Sequence, residues 1–280
     1  MLLKALSRAQ GSIYLSSFGY SDPELDQVLQ AKADQGLSIT VVYDRTLPPP
    51  PLVGPHVSLI KDKRSGLMHR KVVIIDEKTL FLGSTNATES SYKLHYNHMI
   101  QMEDEKLAAA VVEAKPYETA QFTFYPLPAQ KKEVIRALGD LIDHAEKKIY
   151  LAIFTLTHQV IINKIIESRL RGVDVQIVID QQMARGASLK AINELKKYDI
   201  PLFVQRGSSL FHHKCALIDD RFVLGSANWT KSGFEKNREY LIIFWKLEKT
   251  DLTQVEQFTQ SITRASKRLH YSNPDATRKL

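Results

Sequence analysis

The sequence predicts an α/β layered fold built twice within one chain, and three observations carry that expectation. Apolar strand-type runs alternate with helical stretches along the whole length. The same order of segments occurs in both halves. A short His-x-Lys motif followed by an apolar run and Asp appears once in each half, at matching places.

The elements follow in order. SIYLSSFGYSDPELDQVLQAKADQGLSITVVYD in the first half parallels KIYLAIFTLTHQVIINKIIESRLRGVDVQIVID in the second. Each reads as a strand, a helix, a Gly near the helix end (Gly36, Gly172) and a Val/Ile-rich strand closing on Asp. VSLIK and PLFVQ come next, then LMHRKVVIID against LFHHKCALID, and then TLFLGSTN against RFVLGSAN. The YPLP segment, Tyr125 to Pro128, reads as a linker, which divides the chain into halves 1–124 and 125–280. KKEVIRALGDLIDHAEKK then opens the second half as an amphipathic helix, with Val134, Leu138, Leu141, Ile142 and Ala145 on one face. The copies differ where the first has TLPPPPLVGPH, which cannot be helical, and the second has the helical SLKAINELKKY. The Pro-rich stretch is expected to be a rigid spacer, with a substrate-facing wall as the alternative.

Composition bounds the function. With 44% hydrophobic and 25% charged residues, the chain can bury a core and is not of the disordered class. A net charge of +7 and a pI near 9.3 favour a phosphate-bearing partner, nucleic acid or an anionic lipid surface. The single cysteine, Cys215, excludes an internal disulfide framework and a Cys-based zinc site. No apolar run approaches the ~20 residues that span a bilayer. MLLKALSRAQGSIYLSSF lacks a signal-peptide pattern. The cytoplasm is the default compartment, with secretion left open because the chain begins abruptly beside its first strand.

The chemistry sits in the motifs His69-x-Lys71…Asp76 and His212-x-Lys214…Asp219. The apolar residues VVII and CALI make each segment a strand, and on a strand residues i and i+2 share a face. His69 and Lys71 therefore project together, as do His212 and Lys214. His213 falls on the opposite face with Cys215, and its counterpart in the first half is Arg70, so the repeat selects His212. Asp76 and Asp219 are expected to be structural, accepting from turn amides. Ser84 and Asn86 in the first half, and Ser226 and Asn228 in the second, follow the next strand and add neutral hydrogen-bonding groups beside the His-Lys face. Two lysines and two asparagines suit the non-bridging oxygens of a phosphodiester, whose charge grows in the transition state. One neutral histidine can attack phosphorus while a protonated one supplies a proton to the leaving oxygen. No metal and no cofactor are expected, because the lysines supply the positive charge.

HRKVVIID with GSTN, and HHKCALID with GSANW, resemble the paired HKD motifs of the phospholipase D superfamily over nearly the whole chain. The resemblance implies two α/β/α halves about a pseudo-twofold axis, one active site at the seam and a covalent phosphohistidine intermediate. It implies catalytic roles for His69, Lys71, Asn86, His212, Lys214 and Asn228, with Ser84 and Ser226 binding substrate. It also implies an acidic residue that orients a histidine. Glu239 in NREYLIIF matches this in the second half, where it is expected to hold His212 protonated as the acid. In the first half NHMIQM puts Met99 at the corresponding place, which leaves His69, the expected nucleophile, to be oriented by another group such as a backbone carbonyl.

The implied function is a metal-independent phosphodiesterase, with nucleic acid slightly favoured as substrate by size and charge. Phospholipid head-group hydrolysis or transfer is the alternative, and an inactive phosphate-binding module the third reading. Both motifs lie in one chain, so a monomer is expected. Among the remaining residues, Phe18 and Phe154 are placed to flank the cleft or to be core. His158 and Tyr20 to Asp22 read as surface residues or pocket mouth, and Trp229 equally as packing or as a wall of the leaving-group side. His56, His95, His98, His144 and His270 default to the surface, and the tail RASKRLHYSNPDATRKL to a frayed terminus.

Overall fold

The computed structural model describes residues 1–269. Its two large sheets confirm the α/β class and give the repeat a physical form. The first sheet runs, from one edge to the other, Val57–Asp62, Ser38–Asp44, Ser12–Ser17, Lys71–Ile75, Thr79–Gly83 and Met99–Glu103. The second contains Leu202–Gln205, Asp174–Ile179, Lys148–Ile153, Lys214–Ile218, Arg221–Gly225 and Glu239–Phe244 in the same relative order. Ser266–Arg268 extends one edge, and Phe122–Leu127 and Tyr117–Glu118 extend the other. Parallel pairing between the first strand of each half and its Val/Ile-rich neighbour gives way to antiparallel pairing with the motif strand. Such mixed sheets follow from a helical crossover succeeded by a hairpin.

The core has three parts. Ile13, Leu15, Ile39 and Val41 pack with Leu25 and Leu29 of helix Pro23–Asp34. Ile149, Leu151, Val175 and Ile177 pack with helices Lys131–Asp143, Gln159–Leu170 and Leu189–Lys196 in the other half. Between the sheets lies a shared core in which Val72, Ile74, Leu80 and Leu82 meet Cys215, Leu217, Phe222 and Leu224. Every residue of the two motif strands is buried, because these strands are central and covered on both faces.

One local expectation changes. Tyr125–Leu127, read as linker, closes the strand Phe122–Leu127, which pairs along its whole length with Glu239–Phe244. The chain therefore passes between sheets after Glu103 and before Tyr117. The Pro-rich stretch lies against helix Pro23–Asp34, where the Gln30 side chain both donates to and accepts from the Val53 backbone. Helix Lys131–Asp143 forms with the predicted apolar face buried. Among the described residues no helix is long and apolar enough to cross a membrane.

Candidate active site

Each motif histidine is placed by the half that does not contain it. The backbone N–H of His69 donates to the Arg238 carbonyl at 2.9 Å, and that of His212 to the Tyr96 carbonyl at 2.8 Å. These links sit in short parallel bridges, Met68 with Arg238 and Tyr96 with Phe211. The strand-closing aspartates brace them, since Asp44 accepts from the Met68 amide at 2.7 Å and Asp180 from the Phe211 amide at 3.0 Å. Sequence reading treated these two aspartates only as strand ends; their common position in the repeat was the available signal.

Asp76 and Asp219 are structural, as expected. Asp76 accepts from the amides of Gln10, Gly11 and Ser12, and Asp219 from those of Glu146, Lys147 and Lys148. Each therefore pins the start of the neighbouring strand to the end of the motif strand. Gly83 and Gly225 allow the next strand to pass close by, since a Cβ at either would collide with a carbonyl oxygen, of His98 or Tyr240.

His69 and Lys71 share one face, and His212 and Lys214 the other half's equivalent. The Lys71 ammonium donates to the His69 carbonyl and the Lys214 ammonium to the His212 carbonyl, both at 2.7 Å. Phe18 and Phe154, whose place is open between cleft and core in the sequence, lie against the rings of the motif histidines. Their centroids are 5.2 Å from that of His69 and 5.1 Å from that of His212. They also face the ammonium groups, Phe18 at 5.8 Å from Lys71 Nζ and Phe154 at 5.0 Å from Lys214 Nζ. Lys214 is fully buried and Lys71 nearly so. Burial pushes the Lys71 ammonium down to about 7 despite the Glu239 carboxylate nearby. Burial and the like charge of Lys71 push Lys214 well below its ordinary range. Two ammonium groups held this way favour an anion between them.

The orienting groups depart from expectation. Glu239 does not serve His212; its Oε1 lies 2.5 Å from Nδ1 of His69, across the seam. His212 Nδ1 instead donates to the Ser84 carbonyl at 3.0 Å and to Asn97 Oδ1 at 3.1 Å. The partner of Glu239 in the repeat is therefore Asn97, and Met99 lies two residues too far along. Ser84 N bonds the His98 carbonyl as Ser226 N bonds the Tyr240 carbonyl, which aligns 98 with 240 and 97 with 239. Asn97 also follows Asn86 at the offset by which Glu239 follows Asn228, a signal that counting from Gly-Ser-x-Asn would have found.

Electrostatics differ accordingly. Burial lowers the affinity of His69 for a proton, Glu239 opposes that shift, and Lys71 and Lys214 add to it. His212 is pushed well down by burial, then by Lys214, Lys71 and His69, with only the Ser84 carbonyl opposing. Ser84 and Ser226 are fully buried and accept from backbone amides, His98 N at 3.1 Å and Tyr240 N at 3.1 Å. Ser84 also donates to Asn97 Oδ1 at 2.9 Å. Oδ1 of Asn86, Oδ1 of Asn228 and Oε2 of Glu239 are buried with no hydrogen-bond partner among the described residues.

His213 points away from Lys214, as the strand parity predicts, and packs among Phe211, Phe258 and His98. His98, expected at the surface, is buried there, its Nδ1 at 3.3 Å from Nδ1 of His213. His158 is also buried, against Phe234, because it precedes helix Gln159–Leu170 and its amide bonds the Trp229 carbonyl. Trp229 is packing, 1% exposed within the second-half core. Asp22 caps helix Pro23–Asp34, and Tyr20 donates to Asp26. His56 and His144 are exposed and His95 half-buried, whereas His270 and the end of the basic tail lie outside the described residues.

Comparison with known proteins gives four findings. The family model described as "Cardiolipin synthase, PLD-like domain" matches residues 2–114 and 138–264. A mitochondrial cardiolipin hydrolase of Canis lupus familiaris is 29% identical over 144 residues, 47% of this chain and 55% of that protein. A phospholipase D of Rickettsia felis is 29% identical over 107 residues, 38% of this chain and 53% of that protein. The chain thus spans about half the length of the curated relatives it matches. The crystal structure of phosphatidylserine synthase from Haemophilus influenzae shares the fold at a TM-score of 0.75 and 14% identity, covering 96% of this chain and 84% of that one.

Proposed function

This chain belongs to the phospholipase D superfamily, and from that premise we propose that it cleaves the head-group phosphodiester of a phospholipid through a phosphohistidine on His69. The observation that carries the chemistry is the unlike pair of histidines, one backed by a carboxylate and one by an amide, beside two buried lysines. Glu239 keeps the proton of His69 on Nδ1, which leaves Nε2 with a free lone pair. When Nε2 attacks phosphorus the ring becomes cationic, and the Glu239 carboxylate stabilises that charge as it forms. Lys71 and Lys214 neutralise the non-bridging oxygens, and the amides of Asn86 and Asn228 complete the grip. His212 donates a proton to the leaving oxygen and then takes one from the water, or alcohol, that opens the intermediate.

A lipid substrate is supported by the matching family model and by relatives named for cardiolipin and phospholipid cleavage. This reverses the weight that size and charge alone gave to nucleic acid. The net charge of +7 keeps nucleic acid as the second reading.

Vesicles of cardiolipin and of phosphatidylcholine, assayed beside single-stranded DNA and RNA, decide between them. Head-group release that survives EDTA, with no nucleic-acid cleavage, is expected. Cleavage of nucleic acid alone overturns the lipid reading, and abolition by EDTA overturns the metal-free chemistry.

A further inference from the structure

We infer that Asn97 is a positioning residue that dedicates His212 to proton donation, its neutral amide standing where the other half carries a carboxylate. The inference rests on the phosphodiesterase reading above for its function, and on geometry for its substance.

The amide can face only one way. Asn97 Nδ2 donates to the Ser91 carbonyl at 3.0 Å, an acceptor that Oδ1 could not serve. The Ser84 hydroxyl accepts from the His98 amide and so has its own proton to give to Asn97 Oδ1. Oδ1 is thereby turned to His212 Nδ1, which has a second acceptor in the Ser84 carbonyl. With two acceptors facing it, Nδ1 carries hydrogen, and the exchangeable proton of His212 belongs to Nε2.

A carboxylate at this point would stabilise the imidazolium by its charge, whereas an amide supplies an acceptor without that charge. Among the described residues, the other groups around His212 are cationic or neutral: Lys214 two residues on, Lys71 and His69 from the opposite motif, and the Phe154 ring. The charge of Glu239 is committed to His69. His212 therefore holds its proton weakly and releases it readily. In the first step the Nε2 lone pair of His69 forms the N–P bond while the bond from phosphorus to the leaving oxygen breaks. The leaving oxygen keeps that electron pair and takes the Nε2 proton of His212, which becomes neutral. In the second step water attacks phosphorus and gives its proton to His212 Nε2, and the N–P pair returns to His69. The protonated state needed at the start is lost as pH rises, so the alkaline limb of kcat/KM should fall early.

Two substitutions in the full chain test this. Asn97→Asp, followed by NMR titration of ¹⁵N-labelled histidines, should raise the midpoint of His212 by about one pH unit or more, tenfold in proton affinity. The alkaline limb of kcat/KM should move by the same amount, while His69 shifts less. Read on kcat/KM, which reports only the steps up to departure of the leaving group, Asn97→Leu, which removes the acceptor, should slow a methyl p-nitrophenyl phosphate diester little when p-nitrophenolate leaves. It should slow an alkyl-leaving diester by roughly tenfold or more, because only that group needs the acid. A His212 midpoint unmoved by Asn97→Asp overturns the inference, as does an equal loss on both leaving groups. If Asn97→Leu does not fold, the near-isosteric Asn97→Asp titration stands alone. The titration needs no substrate and the diesters are neither lipid nor nucleic acid, so failure of the lipid reading shows separately, as absent head-group release.

Discussion

The two halves of the molecule are alike wherever backbone must be held and unlike behind the two motif histidines. Asp76 and Asp219 each gather three amides, Asp44 and Asp180 each brace the residue before the histidine, and each lysine caps the carbonyl of its own histidine. The groups behind the His-Lys face have diverged. Glu239 stands against Asn97, and Tyr240, whose hydroxyl bonds Gly83 and the Lys71 carbonyl, stands against His98, which meets His213. Arg70, donating to the Val111 carbonyl, stands against His213 itself. In the reaction proposed above, duplication supplies a symmetric cradle for a phosphate, but displacement at phosphorus is asymmetric: one ring must gain a charge while the other loses a proton.

Making the halves alike should damage the reaction most. Glu239→Gln puts an amide behind both histidines and should cost on the order of 10³ in kcat, by analogy with the loss of a carboxylate behind a catalytic histidine. A loss below about tenfold would break the comparison, because it would mean that the charge behind His69 does no catalytic work.

The lysines come next. Lys214→Met should lower kcat by about 10²–10³ while raising the melting temperature, since it removes a buried ionisable group that lacks a close counter-ion among the described residues. Both lysines bind protons less tightly in the folded chain than in the unfolded one. Unfolding therefore takes up protons, and stability rises with pH between the folded and unfolded values, about 7 to 10.5 for Lys71. Calorimetry across that window should show a shallower rise in the variant. An unchanged slope together with a lower melting temperature would count against the buried-charge account.

The smallest effects test the symmetric part. Asp76→Ala and Asp219→Ala each remove a carboxylate that accepts from three amides, and each should cost about 1–3 kcal/mol in urea unfolding. Burial alone would raise both carboxyls, yet the backbone amides overcome it and hold them below the ordinary range. Their stabilisation is present above about pH 4 and lost as pH falls through the lowered folded values. Markedly unequal costs would show that the scaffold, and not only the site, has diverged.

Much of this was legible before the fold was known. Strand parity separated His212 from His213, and the repeat paired His69 with His212 although they lie half a chain apart. The identity of each histidine's orienting group was not legible, because both groups reach across the seam. Motif reading pairs a residue with its own half, and so it assigned Glu239 to His212. The buried His98 and His158 were missed for a related reason: a lone histidine shows no periodicity, and its burial depends on which element packs over it.

The sequence by itself determined the α/β class, the duplication and which side chains share the His-Lys face, since these follow from local periodicity and spacing. Only the tertiary structure decided that Glu239 serves His69 and Asn97 serves His212. Those contacts depend on how the two sheets pack on their shared core, and a hydrogen bond between residues far apart in the chain leaves no period in the sequence.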